Sequence, residues 1–135
     1  MEPLLRPIAQ QELRQYWPWL RAGLEDIAKR YKSDWLPEDI YGVLRSGNAG
    51  ASIIGNEEGF IILQQQQRFT GPCLLIWVIW GELAAHEQVL YDELDKIARE
   101  AKCMSIEAHG RPGWAKRGFF ERRSTIFVRD LKTKG

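Results

Sequence analysis

The sequence predicts an α/β (α+β) domain built on one mixed β-sheet with helices on both faces. Three observations carry that expectation. The run Cys73-Leu74-Leu75-Ile76-Trp77-Val78-Ile79-Trp80 is apolar at every position, as a central strand covered on both faces must be. Stretches with an apolar residue every third or fourth position stand before and after it, the period of helices with one buried side. Gly, Pro and Asn cut the rest into strand-length pieces, giving the order β-α-α-β-β-β-α-β-α-β. With 135 residues and neither internal repeat nor linker composition, residues 1–135 form one domain with a core of its own.

Residues 4–8 make the first strand, and Pro3 and Pro7 confine it to an edge or to strand ends, because proline gives no N–H to a ladder. From Gln10 onward Leu13, Trp17, Leu20, Leu24, Ile27 and Tyr31 mark one side of a helix. Pro18 lies inside it and is expected to kink it or divide it, since proline cannot donate to the carbonyl four residues back. A second helix starts at Pro37, with Glu38 and Asp39 near the positive end of its dipole and Ile40, Val43 and Leu44 on its buried side. Ser46-Gly47-Asn48 ends it. Strands follow at 51–55, 60–66 and 73–80, the first two joined by a tight turn at 56–59. The glutamines Gln64 to Gln67 read as the solvated extension of a hairpin. After Gly81 a helix over 84–102 buries Leu90, Leu94, Ile97, Ala98 and Ala101 and turns Asp92, Glu93, Lys96 and Glu100 to water. Strands at 104–108 and 124–130 flank a short helical turn at 114–117.

Apolar residues make up 44% of the chain and charged ones 27%, a composition that excludes wholesale disorder. No apolar run is long enough to span a bilayer, so no membrane partner is expected. The first ten residues lack the basic start and apolar centre of a secretion signal. Cys73 and Cys103 stand in apolar contexts without metal-site spacing, and read as reduced thiols of a cytoplasmic protein. The net charge of +1 is uneven: residues 111–135 hold eight Lys or Arg against two acidic residues, hence +6, and the first 110 carry −5. That is a polar molecule with a basic end, short of a dedicated nucleic-acid binder.

The segment 105–131 reads SIEAHGRPGWAKRGFFERRSTIFVRDL: strand, Gly/Pro break, short helix, Gly118-Phe119, closing strand. With the element order of the whole chain, it resembles the GNAT (Gcn5-related N-acetyltransferase-like) fold. The resemblance implies a coenzyme A site where the apolar strand runs into the long helix. Of the positions there, Val78, Trp80, Gly81, Ala84, Ala85 and, further on, Trp114 are the expected coenzyme-binding residues, with acetyl-CoA as the acyl donor if the protein is an enzyme. Two features depart from the family. The loop Gly81-Glu82-Leu83-Ala84-Ala85-His86 has one glycine and a carboxylate where a phosphate cradle is expected. The competing reading is that Gly81 ends the strand and Glu82 caps the helix. Four residues before Gly118, where the family commonly carries a tyrosine that protonates the leaving thiolate, stands Trp114, whose indole N–H does not transfer a proton.

Other acid–base candidates are Glu107 and His109, two apart and so on one side of a strand, and Glu82. His109 is equally read as a solvated residue past the strand end. No metal site is expected. The cations and aromatics of residues 111–123 have the composition of a surface for single-stranded nucleic acid, but also that of a closing helix and strand. The aromatic-rich first helices, WLPEDIYGVLRSGNA at 35–49 and GRPGWAKR at 110–117 are similar to small GNAT-like proteins of tailed phages and prophages. That likeness implies an accessory or virion-assembly interaction protein with an eroded acyl-CoA site. It would work through a protein partner or self-association, in host cytoplasm or virion. The alternative is a divergent N-acetyltransferase acting on an amine.

Overall fold

A computed structural model describes residues 3–31, 34–108 and 129. The expected elements at 114–117 and 124–130, the basic segment 111–123, His109 and Trp114 lie outside these residues. The described chain is an α/β fold in the expected order: β1 (Leu5–Pro7), α1 (Leu13–Arg30), α2 (Pro37–Ser46), β2 (Gly50–Ile54), β3 (Gly59–Arg68), β4 (Gly71–Gly81), α3 (Glu87–Glu100) and β5 (Ser105–Ala108). The strands form a single sheet in the order β1-β2-β3-β4-β5. The first four pair antiparallel, and β5 returns parallel to β4 after the α3 crossover.

Period-2 alternation divides the sheet into two buried faces. Phe60, Ile62 and Val78 point toward Leu20 and Leu24 of α1 and Ile40 and Leu44 of α2. Ile54, Ile61 and Ile76 point the other way, toward Leu90 and Leu94 of α3. Both faces of β4 are thus covered, as its unbroken apolar run requires. The Gln-rich end of β3 pairs with the start of β4, Gln64↔Leu75 to Gln67↔Pro72, and extends that hairpin beyond the helices.

Three expectations are corrected. The helix α1 runs unbroken through Pro18, without the division its proline suggested. Ala101 lies past the end of α3 and is exposed. Glu93 does not face water: its two oxygens accept the Leu4 N–H at 2.6 Å and the Leu5 N–H at 2.9 Å. The edge strand β1 is too short to satisfy its own donors, and a carboxylate from α3 completes them. At the end of α2 Gly47 takes a left-handed φ of 80°, and its N–H returns to the Leu44 carbonyl, which stops the helix as Ser46-Gly47-Asn48 suggested.

Candidate functional site

The site begins with one extra residue in β4. On β3, Ile62 pairs with Val78, while the next residue, Leu63, pairs with Ile76. Trp77 therefore has no opposite number, which makes a β-bulge. A bulge flips the alternation of side chains and bends the strand. It explains why Ile76 and Ile79, three apart, share the α3 face.

On its other edge β4 pairs with β5 only from Cys73↔Ser105 to Ile76↔Ala108. Residues 77–81 continue with no strand partner on that side among the described residues. A cleft of about 250 Å³ lies there, between the last turns of β4 and the start of α3. Ile79, Leu83, Leu90 and Leu94 give it apolar walls, and Glu87 and Tyr91 give it polar groups. The Tyr91 hydroxyl donates to Glu87 Oε1 at 3.3 Å.

The mouth of the cleft is held by a close backbone approach. Gly81 ends β4 with a φ of +126°, and a Cβ there would lie 2.3 Å from the Glu58 carbonyl oxygen and 2.5 Å from Gly59 Cα. Only glycine fits that geometry without strain. The next residues form a 3-10 turn, Ala84–His86, before α3 starts. His86 Nε2 lies 2.8 Å from Glu58 Oε2 and ties the turn to the β2–β3 connection. Chiefly through that hydrogen bond, the Glu58 carboxyl is held below the ordinary value of 4.5.

The amides of Leu83, Ala84 and Ala85 have no backbone acceptor among the described residues, the usual state of a helix start. Glu82 does not cap it: the N-cap of the turn is Leu83, and no side-chain capping bond forms. The exposed Glu82 carboxylate has no partner among the described residues. A helix start offers about half a unit of positive charge, whereas Glu82 brings a full negative one. The apolar walls suit the thin arm of a pantetheine thioester, while the Glu82 carboxylate at the mouth opposes a diphosphate there.

The opposite end of β4 is closed. Arg68 Nε donates to Glu107 Oε2 at 3.0 Å and Nη2 to Oε1 at 3.1 Å. Cys73 is fully buried beside this pair. Burial first, and then the neighbouring Glu107 carboxylate, push its thiol up to about 11, so it is protonated and unreactive at neutral pH. Glu107 is level with Leu75. Along β4, Glu82 is seven residues further, roughly 23 Å at ordinary strand rise.

The residues singled out in the sequence are therefore spread over the sheet. Trp80, Gly81 and Ala84 line the cleft, and Ala85 is exposed beside it. Val78 is buried in the core under α1. Trp80 also belongs to that core: its ring stacks on Phe60 at 5.5 Å, and its Nε1–H donates to Asp26 Oδ2 at 2.9 Å. Trp19 completes the aromatic group edge-on to both rings. Sequence reasoning missed Glu87, Tyr91 and the cleft side of Leu90 and Leu94, although their spacing on one helix side was a usable signal. It also missed the Glu58–His86 and Arg68–Glu107 pairs, which join residues 28 and 39 positions apart. No group of three or more metal-ligating side chains converges among the described residues. None of their helices is long and apolar enough to cross a membrane.

This arrangement, an antiparallel meander with a bulged fourth strand and a fifth strand returning parallel after a helical crossover, is the GNAT acetyltransferase fold. Solved structures share it at low sequence identity. An aminoglycoside acetyltransferase from an uncultured soil metagenomic sample, in complex with trehalose, matches with a TM-score of 0.65 at 13% identity, covering 95% of each chain. The ribosomal-protein-alanine N-acetyltransferase of Brucella melitensis biovar Abortus matches with a TM-score of 0.62 at 17% identity, over 93% of this chain and 99% of that one. An acetyltransferase of Trypanosoma brucei gives 0.61 at 15% identity, over 94% and 98%. No family model matches the sequence, and neither does any curated protein.

Proposed function

We propose that this protein is an N-acyltransferase that moves an acyl group from a pantetheine thioester, acetyl-CoA in the simplest case, to an amine. One observation carries the reading: an apolar cleft lies between the end of β4 and the start of α3, walled by Ile79, Leu83, Leu90 and Leu94. The cleft between β4 and α3 receives the pantetheine arm. Ile79, Leu83 and Leu90 take its methyl groups and keep water from the thioester. The amine nitrogen attacks the thioester carbonyl carbon; a C–N bond forms, the C–S bond breaks, and the proton lost by nitrogen ends on the thiolate.

Glu107 is the proposed proton acceptor. The Arg68 fork positions its carboxylate. It lies on β5 level with Leu75, on the side of the sheet where α1 and α2 pack further along, the helices that by resemblance build the acceptor wall. Glu82, at the far end of β4, has no part in this step.

Calorimetric titration with acetyl-CoA and with S-acetylpantetheine, followed by acetylation of a panel of amines, tests the proposal. Saturable binding of either donor with transfer above background supports it; the absence of heat with both sinks it. Glu107→Gln is expected to lower kcat about a hundredfold, the lower range for a lost general base, while donor Kd stays within a factor of two or so of wild type.

A second reading is an interaction module without chemistry, of the kind the phage and prophage resemblance implies. Two observations favour it: the carboxylate of Glu82 in the loop, and the exposure of Phe69 at the β3–β4 hairpin tip with Met104 before β5. If no thioester binds, a pull-down for a protein partner and a measurement of self-association are the next experiments. A salt-sensitive gel shift would instead favour nucleic acid on residues 111–123.

A further inference from the structure

The loop after β4 has a chemistry that the acyltransferase reading alone does not explain. Gly81 and Leu83 both line the cleft, so Glu82, between them in sequence, stands at its mouth. Its carboxylate is exposed and has no partner among the described residues. The loop's one potential cation, His86, is already engaged by Glu58 at 2.8 Å. A second carboxylate, Glu87, opens α3 and lines the same cleft. A bound pantetheine arm would leave the protein at this point, and whatever it is attached to must pass these groups.

We infer that Glu82 is a specificity-determining residue that selects donors by charge: the cleft takes a neutral acyl-pantetheine thioester and disfavours one whose far end carries a nucleotide diphosphate. The inference rests on the acyltransferase reading and adds the donor class to it. Among the described residues, the groups at the mouth meet an anion with a net negative field, because the half-charge of a helix start is outweighed by a full carboxylate. That field is open to solvent and is screened within about 8–10 Å at moderate ionic strength. Salt must therefore improve the binding of a diphosphate-bearing donor, the reverse of a conventional phosphate site, and leave a neutral donor almost unaffected.

The experiment is calorimetric titration of the full chain with acetyl-CoA and with S-acetylpantetheine, each at about 20 mM and 300 mM NaCl, a range over which surface charges pass from weakly to strongly screened. Wild-type protein is expected to bind S-acetylpantetheine at least as tightly as acetyl-CoA at low salt. Its affinity for acetyl-CoA should rise about threefold or more with salt. In Glu82→Gln, the ratio of the acetyl-CoA Kd to the S-acetylpantetheine Kd should fall by about twofold to fivefold, the scale of one exposed charge pair. Acetyl-CoA binding tenfold tighter than S-acetylpantetheine and weakening with salt would overturn the inference and leave the acyltransferase reading standing. An unchanged ratio in a folded Glu82→Gln protein would remove the role from Glu82. Binding of neither ligand would overturn both readings. The salt arm uses wild-type protein alone, so the inference stays testable even if the variant fails to fold.

Discussion

Over residues 73–76, β4 is paired with a strand on each side, whereas over residues 77–81 its strand neighbour among the described residues is β3. The first half ends in a buried thiol and a two-pronged Arg–Glu pair. The second half carries a bulge, a cleft and a glycine-only backbone at its end. Both halves are equally apolar in sequence. The difference teaches that hydrophobicity makes a strand central, while its pairing decides whether it is scaffold or site. A strand with one free edge has backbone groups to offer a ligand; one paired on both sides has none.

The open half must be supported from its back. Phe60, fully buried between Trp19 and Trp80, is that support. Phe60→Ala is expected to cost about 3–5 kcal/mol in urea unfolding, the range for a deleted core aromatic. A loss below about 1 kcal/mol would mean that the aromatic group is not what braces this half. Gly81→Ala comes next. A Cβ at positive φ that collides with the neighbouring backbone costs about 1–3 kcal/mol; it should also weaken thioester binding by shifting the cleft mouth. Unaltered stability in that variant would show that the approach to Glu58 and Gly59 is loose.

The smallest effects separate the two ends by pH. Between about pH 9 and 11, Cys73 keeps in the fold a proton that it loses in the unfolded chain, so stability falls as pH rises through that range. Cys73→Ala should flatten that slope. At the open end, Glu58 titrates below the ordinary 4.5 in the fold. Its contribution is complete above that value and is lost as the pH falls through the lowered one; Glu58→Gln should flatten the acid slope instead. Unfolding free energies measured across both ranges check the pair. If either variant removes the other end's slope, the comparison between the ends fails.

Much of this architecture could be read from residue order. The apolar run at 73–80, the stripes of α1 and α3, and Pro37 with Gly47 bounding α2 each have a local cause, since periodicity and backbone restriction act within a few positions. Errors arose where a distant partner overrides the local rule. Glu93 read as a solvated residue because nothing near it in sequence reveals that the amides of Leu4 and Leu5 lie across from it. Glu82 read as a helix cap, yet the turn after β4 takes Leu83 as its N-cap and Glu82 stands beside the cleft, away from Glu107, which lies on β5 level with Leu75.

The chain alone was enough to establish a mixed sheet sheathed by helices, because burial patterns repeat with the period of the element that makes them. It also exposed the lack of a glycine-rich phosphate loop after Gly81. Register, by contrast, is a relation between strands. The unmatched Trp77, the parallel register that sets Cys73 against Ser105, and the cleft between the end of β4 and α3 follow from how β3, β4 and β5 align and where α3 packs. An uninterrupted apolar run carries no period by which that alignment could be read in advance.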